Sequence, residues 1–377
     1  MLASIHVPGA VLIAAGIGAS LEATQLSVAV YLAVYAASQV TVVIVTGIRR
    51  PVNVILAGCA IAGLGTAVCA AAPGIVPFYA GRVLQAVGAS LCVLSIRVLV
   101  RLVHTPPAAS ALLASLFAVT SAGLLLGPMA AGYLMETLGW RAIFAVCAGW
   151  GAVNLATLWL AVAGHPHWRG ESRPAASGGA NLRNFYDCLT SGRLLLYVAF
   201  NTALYWGFYG FVTGLPIVAA AMGITDAKTV GLISASTGVG AICGGLAAAR
   251  LARTLPANGI IGLGLLSTLL PALLLATPWR GGGAAAVLAL GGVGLGAGWV
   301  LGLVQPNALL SAMSVPGTEP AAAAALIGCT QILGGACASF AVPFAGDSFA
   351  GFVLILGAAG WAALAAWLAA GRRPAGP

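Results

Sequence analysis

The acidic residues of this 377-residue chain are confined to the breaks between its long apolar runs. Asp and Glu together number seven, and none of them lies inside a run. An ionised carboxylate on a helix at bilayer depth is costly, so this distribution is expected of helices that face lipid or one another. We therefore predict an integral membrane protein whose buried chemistry depends on Arg, His, amide and aromatic side chains.

The composition excludes a soluble globular domain. Hydrophobic residues make up 61% of the chain and charged residues 6%, with a mean hydropathy of +1.05, whereas an ordinary soluble domain is roughly 25% charged. The net charge of +9 comes from basic residues scattered between apolar runs, so no nucleic-acid partner is predicted. The chain has no nucleotide-binding loop, zinc motif or nucleophile elbow, so we predict no enzyme activity, no metal and no cofactor.

The apolar runs predict an all-helical fold, because a spanning helix needs about 20 apolar residues. The first run is short and begins at Met1, so we expect a truncated first helix. The runs predict twelve spans, at 2–19, 26–47, 54–72, 76–102, 109–135, 141–163, 193–221, 229–252, 258–277, 283–312, 320–345 and 349–370.

One long polar segment divides the spans into six and six. We predict an N-terminal six-helix bundle over 1–163, a central loop over 164–192 and a C-terminal six-helix bundle over 193–377. Within the loop, Asn181–Leu189 is compatible with a short interfacial helix, and Cys188 lies in this polar stretch.

The basic residues predict the orientation, because they concentrate in cytoplasmic loops. With the N-terminus in the cytoplasm, the outer side holds only Arg82, Arg141, Lys228 and Arg280. The cytoplasmic side then holds 12 arginines, at 49, 50, 97, 101, 169, 173, 183, 193, 250, 253, 372 and 373. We expect a multi-pass protein of the bacterial inner membrane, with both termini and the central loop in the cytoplasm.

Several motifs occur at fixed places in the predicted spans. The fourth span contains an R-x-x-Q-A-x-G-A pattern that begins with Arg82 and Gln85. The fifth contains Gly123-x-x-x-Gly127-Pro128-x-x-Ala131-Gly132, and Gly139-Trp140-Arg141 precedes the sixth. Together with Gln305-Pro306-Asn307 and the stretch around Gln331, these motifs resemble the major facilitator superfamily, in its bicyclomycin-resistance (Bcr/CflA-like) branch of drug:proton antiporters.

The resemblance implies two pseudo-symmetric bundles around a central site in a monomer. It implies export of an amphipathic small-molecule substrate by alternating access, with protons as a second partner. A siderophore or metabolite exporter and a non-transporting paralogue are the alternatives. The branch carries an acidic residue near the start of span one, where this chain has Ser4 and His6, so we expect weak or absent proton coupling.

Arg82, Gln85 and His6 are the candidate coupling residues. Arg82 lies near the outer end of span four, where its guanidinium either snorkels to the interface or is buried as a cation whose contacts change between states. Gln85 lies on the same helix face. His6 is the only histidine in an apolar run, and it is either a proton-exchanging group or a tolerated polar residue.

Two helix faces are candidate substrate contacts. In span seven, helical spacing groups Asn201, Tyr205, Phe208 and Tyr209, and this face fits either a substrate pocket or a packing stripe. In span two, Tyr31, Tyr35 and Gln39 repeat every four residues. The amides of Gln305, Asn307 and Gln331 either line the cavity or bond between helices. Close helix packing is the expected use of the small residues Gly123, Gly127 and Gly132.

Overall fold

The computed structural model describes residues 5–45, 50–103, 106–164, 178–268, 283–318, 320–345 and 365. Within these ranges the chain is helical, and twelve α-helices follow in order. They are α1 Ala10–Ile17, α2 Leu21–Val45, α3 Pro51–Ala71, α4 Ile75–Val103, α5 Pro106–Leu138, α6 Trp140–Gly164, α7 Gly178–Thr190, α8 Gly192–Ala221, α9 Ala227–Leu251, α10 Ala257–Leu266, α11 Ala284–Met313 and α12 Pro320–Ala341.

The helices α1–α6 and α8–α11 correspond to the predicted spans one to six and seven to ten, and α12 to span eleven. A 3₁₀ turn, Val7–Gly9, precedes α1, so the first span is short as expected. The predicted twelfth span lies outside the described residues except for position 365. Among the described helices, seven stretches are long and apolar enough to cross a membrane.

Local signals set the helix ends. Glycines with positive φ follow α1 and α5, at Gly18 (64°) and Gly139 (83°), and allow the sharp turns there. Pro51 opens α3 at a position where a missing N–H costs nothing. Prolines 128, 216 and 306 lie inside α5, α8 and α11, as membrane helices tolerate.

The helices form two groups that pack mainly within themselves. In the first helix group, α1–α6, helix α4 packs against α2 and α3; in the second helix group, α8–α12, helix α11 packs against α8, α9 and α10. Two pairs of long helices join the groups, α5 with α9 and α2 with α12. In terms of the predicted spans, these pairs are five with eight and two with eleven. Spans two and five of the first half correspond to spans eight and eleven of the second, so interchanging the halves turns each pair into the other. This exchange is the pseudo-two-fold relation expected of the fold.

The short connections 18–20, 72–74, 139 and 222–226 lie at one end of the molecule, which we call the short-loop end. Arg141 at the start of α6 donates to the Ala72 carbonyl at 3.0 Å, and Glu136 at the end of α5 accepts from the Ala227 N–H at 2.8 Å. The first bond joins two segments of the first helix group, and the second joins the first group to the second.

Helix α7 confirms a helix in the central loop, but it corrects the expected environment of Cys188. The thiol is fully buried, in a cluster with Leu194, Tyr197 and Phe200 of α8. The polar stretch is amphipathic, and α7 packs its apolar side against α8, α12 and α2. Cys188 is therefore not a surface probe of this loop.

Candidate functional site

Arg82 is fully buried in the first helix group, seven residues into α4. Its Nη1 donates to Gln85 Oε1 at 2.7 Å, and Gln85 Nε2 donates to the Thr66 hydroxyl at 2.9 Å. Thr66 in turn donates to the Ala62 carbonyl of α3 at 2.7 Å. The guanidinium does not snorkel to the interface; it begins a chain of hydrogen bonds that crosses from α4 to α3.

The guanidinium of Arg82 also lies over an aromatic ring. Arg82 Cζ lies 4.5 Å from the centroid of the Tyr31 ring on α2, and that ring stacks on Tyr35 at 6.0 Å and 19°. A guanidinium over an aromatic face is stabilised by the ring quadrupole, more strongly where water is excluded. Arg82 is thus connected through Tyr31 to the face of α2 that contains Tyr35 and Gln39.

His6 lies in the same interior. Its Nε2 is 2.9 Å from the Ser27 hydroxyl of α2, and its ring meets Phe78 edge-on at 5.8 Å. The imidazole is fully buried, and its Nδ1 has no hydrogen-bond partner in the described part of the chain. His6 is therefore packed in the interior of the first helix group, against α2 and α4.

The two predicted aromatic faces come together as one cluster, contributed by both helix groups. Tyr31 and Tyr35 come from α2, and Tyr205, Phe208 and Tyr209 come from α8. The ring centroids of Phe208 and Tyr209 are 5.3 Å apart, and those of Tyr205 and Tyr209 are 6.3 Å apart. Tyr209 is also within electrostatic range of both tyrosines of α2. We call these five residues the aromatic cluster.

Of the amides named from the sequence, Gln331 bonds between helices, whereas Asn307 bonds within its own helix. Asn201 Nδ2 donates to Gln331 Oε1 at 3.2 Å and so joins α8 to α12. Asn307 instead donates to the Leu303 carbonyl of its own helix at 2.9 Å. Gln39 is buried on α2, and Gln305 is half-buried on α11. The Oδ1 of Asn201 is buried without a partner among the described residues.

The glycine motif of α5 lies where the two helix groups meet. A Cβ on Gly132 would collide with the Ala227 carbonyl of α9, and one on Gly231 would lie 2.6 Å from the Pro128 carbonyl. Gly123 and Gly127 are buried on the same helix. The motif therefore allows the backbones of α5 and α9 to come into contact.

Sequence reasoning missed several polar groups that bond to the site residues, join helices or cap α9. Ser27 and Thr66 are small hydroxyls in apolar runs, which give no signal until a partner is known. The hydroxyls of Thr213 and Ser339 lie 2.8 Å apart and join α8 to α12.

Asp226 caps α9 by accepting a hydrogen bond from the Thr229 N–H at 2.9 Å. The hydrogen bonds from Thr229, followed by the nearby Lys228 ammonium, lower the pKa of the Asp226 carboxyl. An Asp three residues before a helical Thr could have signalled this cap.

Solved transporter structures share the fold. The peptide transporter POT, in complex with alafosfalin, has a TM-score of 0.76 at 16% identity, over 98% of this chain and 92% of that one. A bacterial homologue of the human lysosomal transporter Spinster, inward-facing and occupied, has a TM-score of 0.70 at 13% identity, over 98% and 94%. At these identities the likeness shows the fold alone. No curated protein sequence matches the chain significantly.

The sequence pattern of the Major Facilitator Superfamily matches residues 1–339 of the chain. That match covers both helix groups, the Arg82 motif and the glycine motif of α5. It confirms the superfamily expected from those motifs, together with an all-helical transporter fold in the lipid bilayer. The chain therefore belongs to the major facilitator superfamily.

Proposed function

We propose that this protein exports amphipathic small molecules across the bacterial inner membrane by alternating access. The observation that carries the proposal is the aromatic cluster, because α2 and α8 contribute to it from different helix groups. A substrate bound there contacts both groups, so rocking one group against the other exposes it to each side in turn.

The chemistry of the cluster favours an amphipathic substrate. Aromatic rings offer a large apolar contact area, and the four tyrosine hydroxyls add hydrogen-bonding groups at fixed positions. The Asn201–Gln331 amide pair lies on the same two helices, α8 and α12, that border the cluster. A site with few hydrogen-bonding groups and many apolar groups is better suited to a range of related amphipathic substrates than to one polar substrate.

The domain organisation and orientation follow the sequence. We assign 1–163 to an N-terminal bundle, 164–192 to a central loop and 193–377 to a C-terminal bundle. The excess of arginines in the other loops and at the other span ends supports an orientation with the short-loop end outside and both termini in the cytoplasm. The Arg82 site then lies toward the outer side of the membrane.

Arg82, with Gln85 and His6, forms the proposed coupling site. The guanidinium contacts α2 through Tyr31, and α2 also packs against α12 of the second helix group. A movement of α2 during rocking therefore alters the surroundings of Arg82. Proton coupling is weak, because the described acidic residues are at helix ends or on α7, away from mid-depth.

The proposal is tested by transport in proteoliposomes that contain the purified protein. A panel of fluorescent amphipathic dyes of positive, neutral and negative charge should include at least one that the protein moves faster than protein-free liposomes do. Tyr205→Ala should abolish that movement. The control is Trp159→Ala, because Trp159 is 54% exposed on α6 and faces away from the cluster. Folded protein that moves none of the dyes would contradict the proposal.

A further inference from the structure

The carboxylate of Glu136 bridges the two helix groups at the short-loop end. Glu136 lies in the last turn of α5, and its Oε2 accepts a hydrogen bond from the Ala227 N–H at 2.8 Å. Ala227 is the first residue of α9, so its N–H is one of the four that a helix start leaves without an intrahelical acceptor. The carboxylate at the end of α5 thus accepts a hydrogen bond from a free N–H at the start of α9, in the other helix group.

Two carboxylates share this helix start, but only one belongs to the other group. Asp226 caps α9 from within its own chain segment by binding the Thr229 N–H. Glu136 binds the Ala227 N–H from α5. Both anions are favoured by the positive end of the α9 dipole. If the two helix groups separate, Asp226 keeps its bond to Thr229, whereas Glu136 loses its bond to Ala227. Only the Glu136–Ala227 bond therefore depends on contact between the groups.

The backbone around this bond is packed for contact. Ala227 is fully buried in a cluster with Ala131 and Met135 of α5. One turn further along, Gly132 and Gly231 bring the two backbones together. The Lys228 ammonium lies 5.4 Å from the Tyr133 ring centroid and adds a second side-chain contact from α9 to α5. The closed interface therefore includes the stretch of α5 from Pro128 to Glu136.

We propose that the Glu136–Ala227 contact holds the short-loop end closed and is broken whenever the two helix groups open at that end. This inference rests on the proposed alternating access. A charge-assisted hydrogen bond is stronger than a neutral one, but solvent reduces its contribution where the carboxylate is exposed, as Glu136 is. Loss of the contact should therefore raise the open population by about tenfold.

Hydrogen-exchange mass spectrometry of the full chain in lipid nanodiscs tests the contact. In Glu136→Ala, amide exchange should rise about tenfold both in the first turns of α9, residues 227–234, and in the last turns of α5, residues 128–138. Glu136→Gln keeps an acceptor but loses the charge, so it should give a smaller rise in the same two segments. The milder variant keeps the test decisive if Glu136→Ala fails to fold.

Asp226→Ala is the matched control, because it removes the cap that belongs to α9 itself. Its exchange should rise in the first turn of α9 alone, with no change in residues 128–138. If Glu136→Ala produces that same local pattern, its carboxylate is an ordinary cap and the inference is wrong. Unchanged exchange in both segments would overturn it equally.

The same samples separate this inference from the proposed function. Exchange that rises in both segments supports the contact, even in a protein that transports none of the dyes, and only the exporter assignment then fails. Dye transport by the unmodified chain, combined with no exchange response to Glu136→Ala, leaves the exporter assignment standing and removes the contact.

Discussion

Arg82 stacks on the ring of Tyr31, with Cζ 4.5 Å from the ring centroid, and so connects α4 to α2 at a fully buried position. The guanidinium lies over the ring, while its Nη1 donates to Gln85 Oε1 at 2.7 Å. Planar stacking and an edge-on hydrogen bond together are available to Arg and not to Lys. The identity of this residue should therefore matter beyond its charge.

We expect Arg82→Lys to lower dye transport at least tenfold in a protein that remains folded, because the ammonium cannot both stack and donate in the same geometry. Arg141→Lys is the control, since Arg141 also stacks on an aromatic ring, Trp140, with Cζ 4.2 Å from the centroid, but is exposed. Its effect on transport and on the thermal midpoint should be negligible. Equal losses from the two variants would mean that Arg82 has no special role.

The aromatic residues of α8 divide into two clusters, and the variants should divide with them. Tyr205→Phe and Tyr209→Phe should change which dyes are moved while leaving stability almost unchanged, because only a hydroxyl is removed. Phe200 belongs instead to the cluster with Leu194 and Cys188 and is 1% exposed. Phe200→Ala should destabilise the fold by about 2 kcal/mol or more through the cavity it leaves.

Thermal unfolding in detergent, measured beside the dye panel, distinguishes these effects. Leu195→Ala is the surface control, because Leu195 is 39% exposed on the same helix. A change of dye preference in Phe200→Ala without loss of stability would contradict the division of α8 into two clusters.

The spans could be predicted from the sequence, whereas the contacts that residues of one span make with another could not. Apolar run length determines where a helix crosses lipid, and the described helices lie where the runs predict. Whether Arg82 is buried or reaches the interface depends on contacts with side chains such as Tyr31 and Gln85. These contacts are known only once the helices are packed. Likewise, the faces of α2 and α8 were each predictable, but their meeting required the contact between the two groups.

Two local expectations illustrate the same limit. Cys188 lies in a polar stretch, yet the amphipathic helix α7 buries it. Glu136 is a helix-end acid close to water, and its hydrogen bond to the Ala227 N–H depends on a helix that begins 91 residues further along the chain. Sequence position gives the local surroundings of such residues, but not their partners.

Close contact between α5 and α9 predicts that a single methyl group at Gly132 will be poorly tolerated. The added Cβ would collide with the Ala227 carbonyl, so Gly132→Ala should cost about 1–3 kcal/mol. Gly149→Ala is the matched control on α6, where no atom lies within 4 Å of the added Cβ. It should be neutral or stabilising by up to about 1 kcal/mol, because Ala favours the helix. Differential scanning fluorimetry compares the two, and a neutral Gly132→Ala would contradict the close approach.

The thiols of Cys59 and Cys92 form a pair between α3 and α4, with their Sγ atoms 3.6 Å apart. Phenylarsine oxide condenses with two neighbouring thiols, releasing one water and forming two arsenic–sulfur bonds. We expect one phenylarsenic group per chain by intact mass, lost in Cys59→Ser and in Cys92→Ser. Cys337→Ser, at an exposed thiol on α12, should leave the adduct in place. An adduct that persists in Cys59→Ser would show that another pair reacts.

Proton coupling should be weak in this chain. Antiport needs a group that takes a proton on one side and releases it on the other, and carboxylates usually fill that role in membranes. The described acids Glu22, Glu136 and Asp226 lie at helix ends, and Asp187 lies on α7. His6 is the histidine that lies buried near Arg82. In proteoliposomes, an imposed pH gradient should change the rate of dye transport by less than about twofold. His6→Gln, which can still bond to Ser27, should leave that small response unchanged or remove it. Strong gradient-driven transport that survives His6→Gln would mean that a proton carrier other than this histidine operates in the chain.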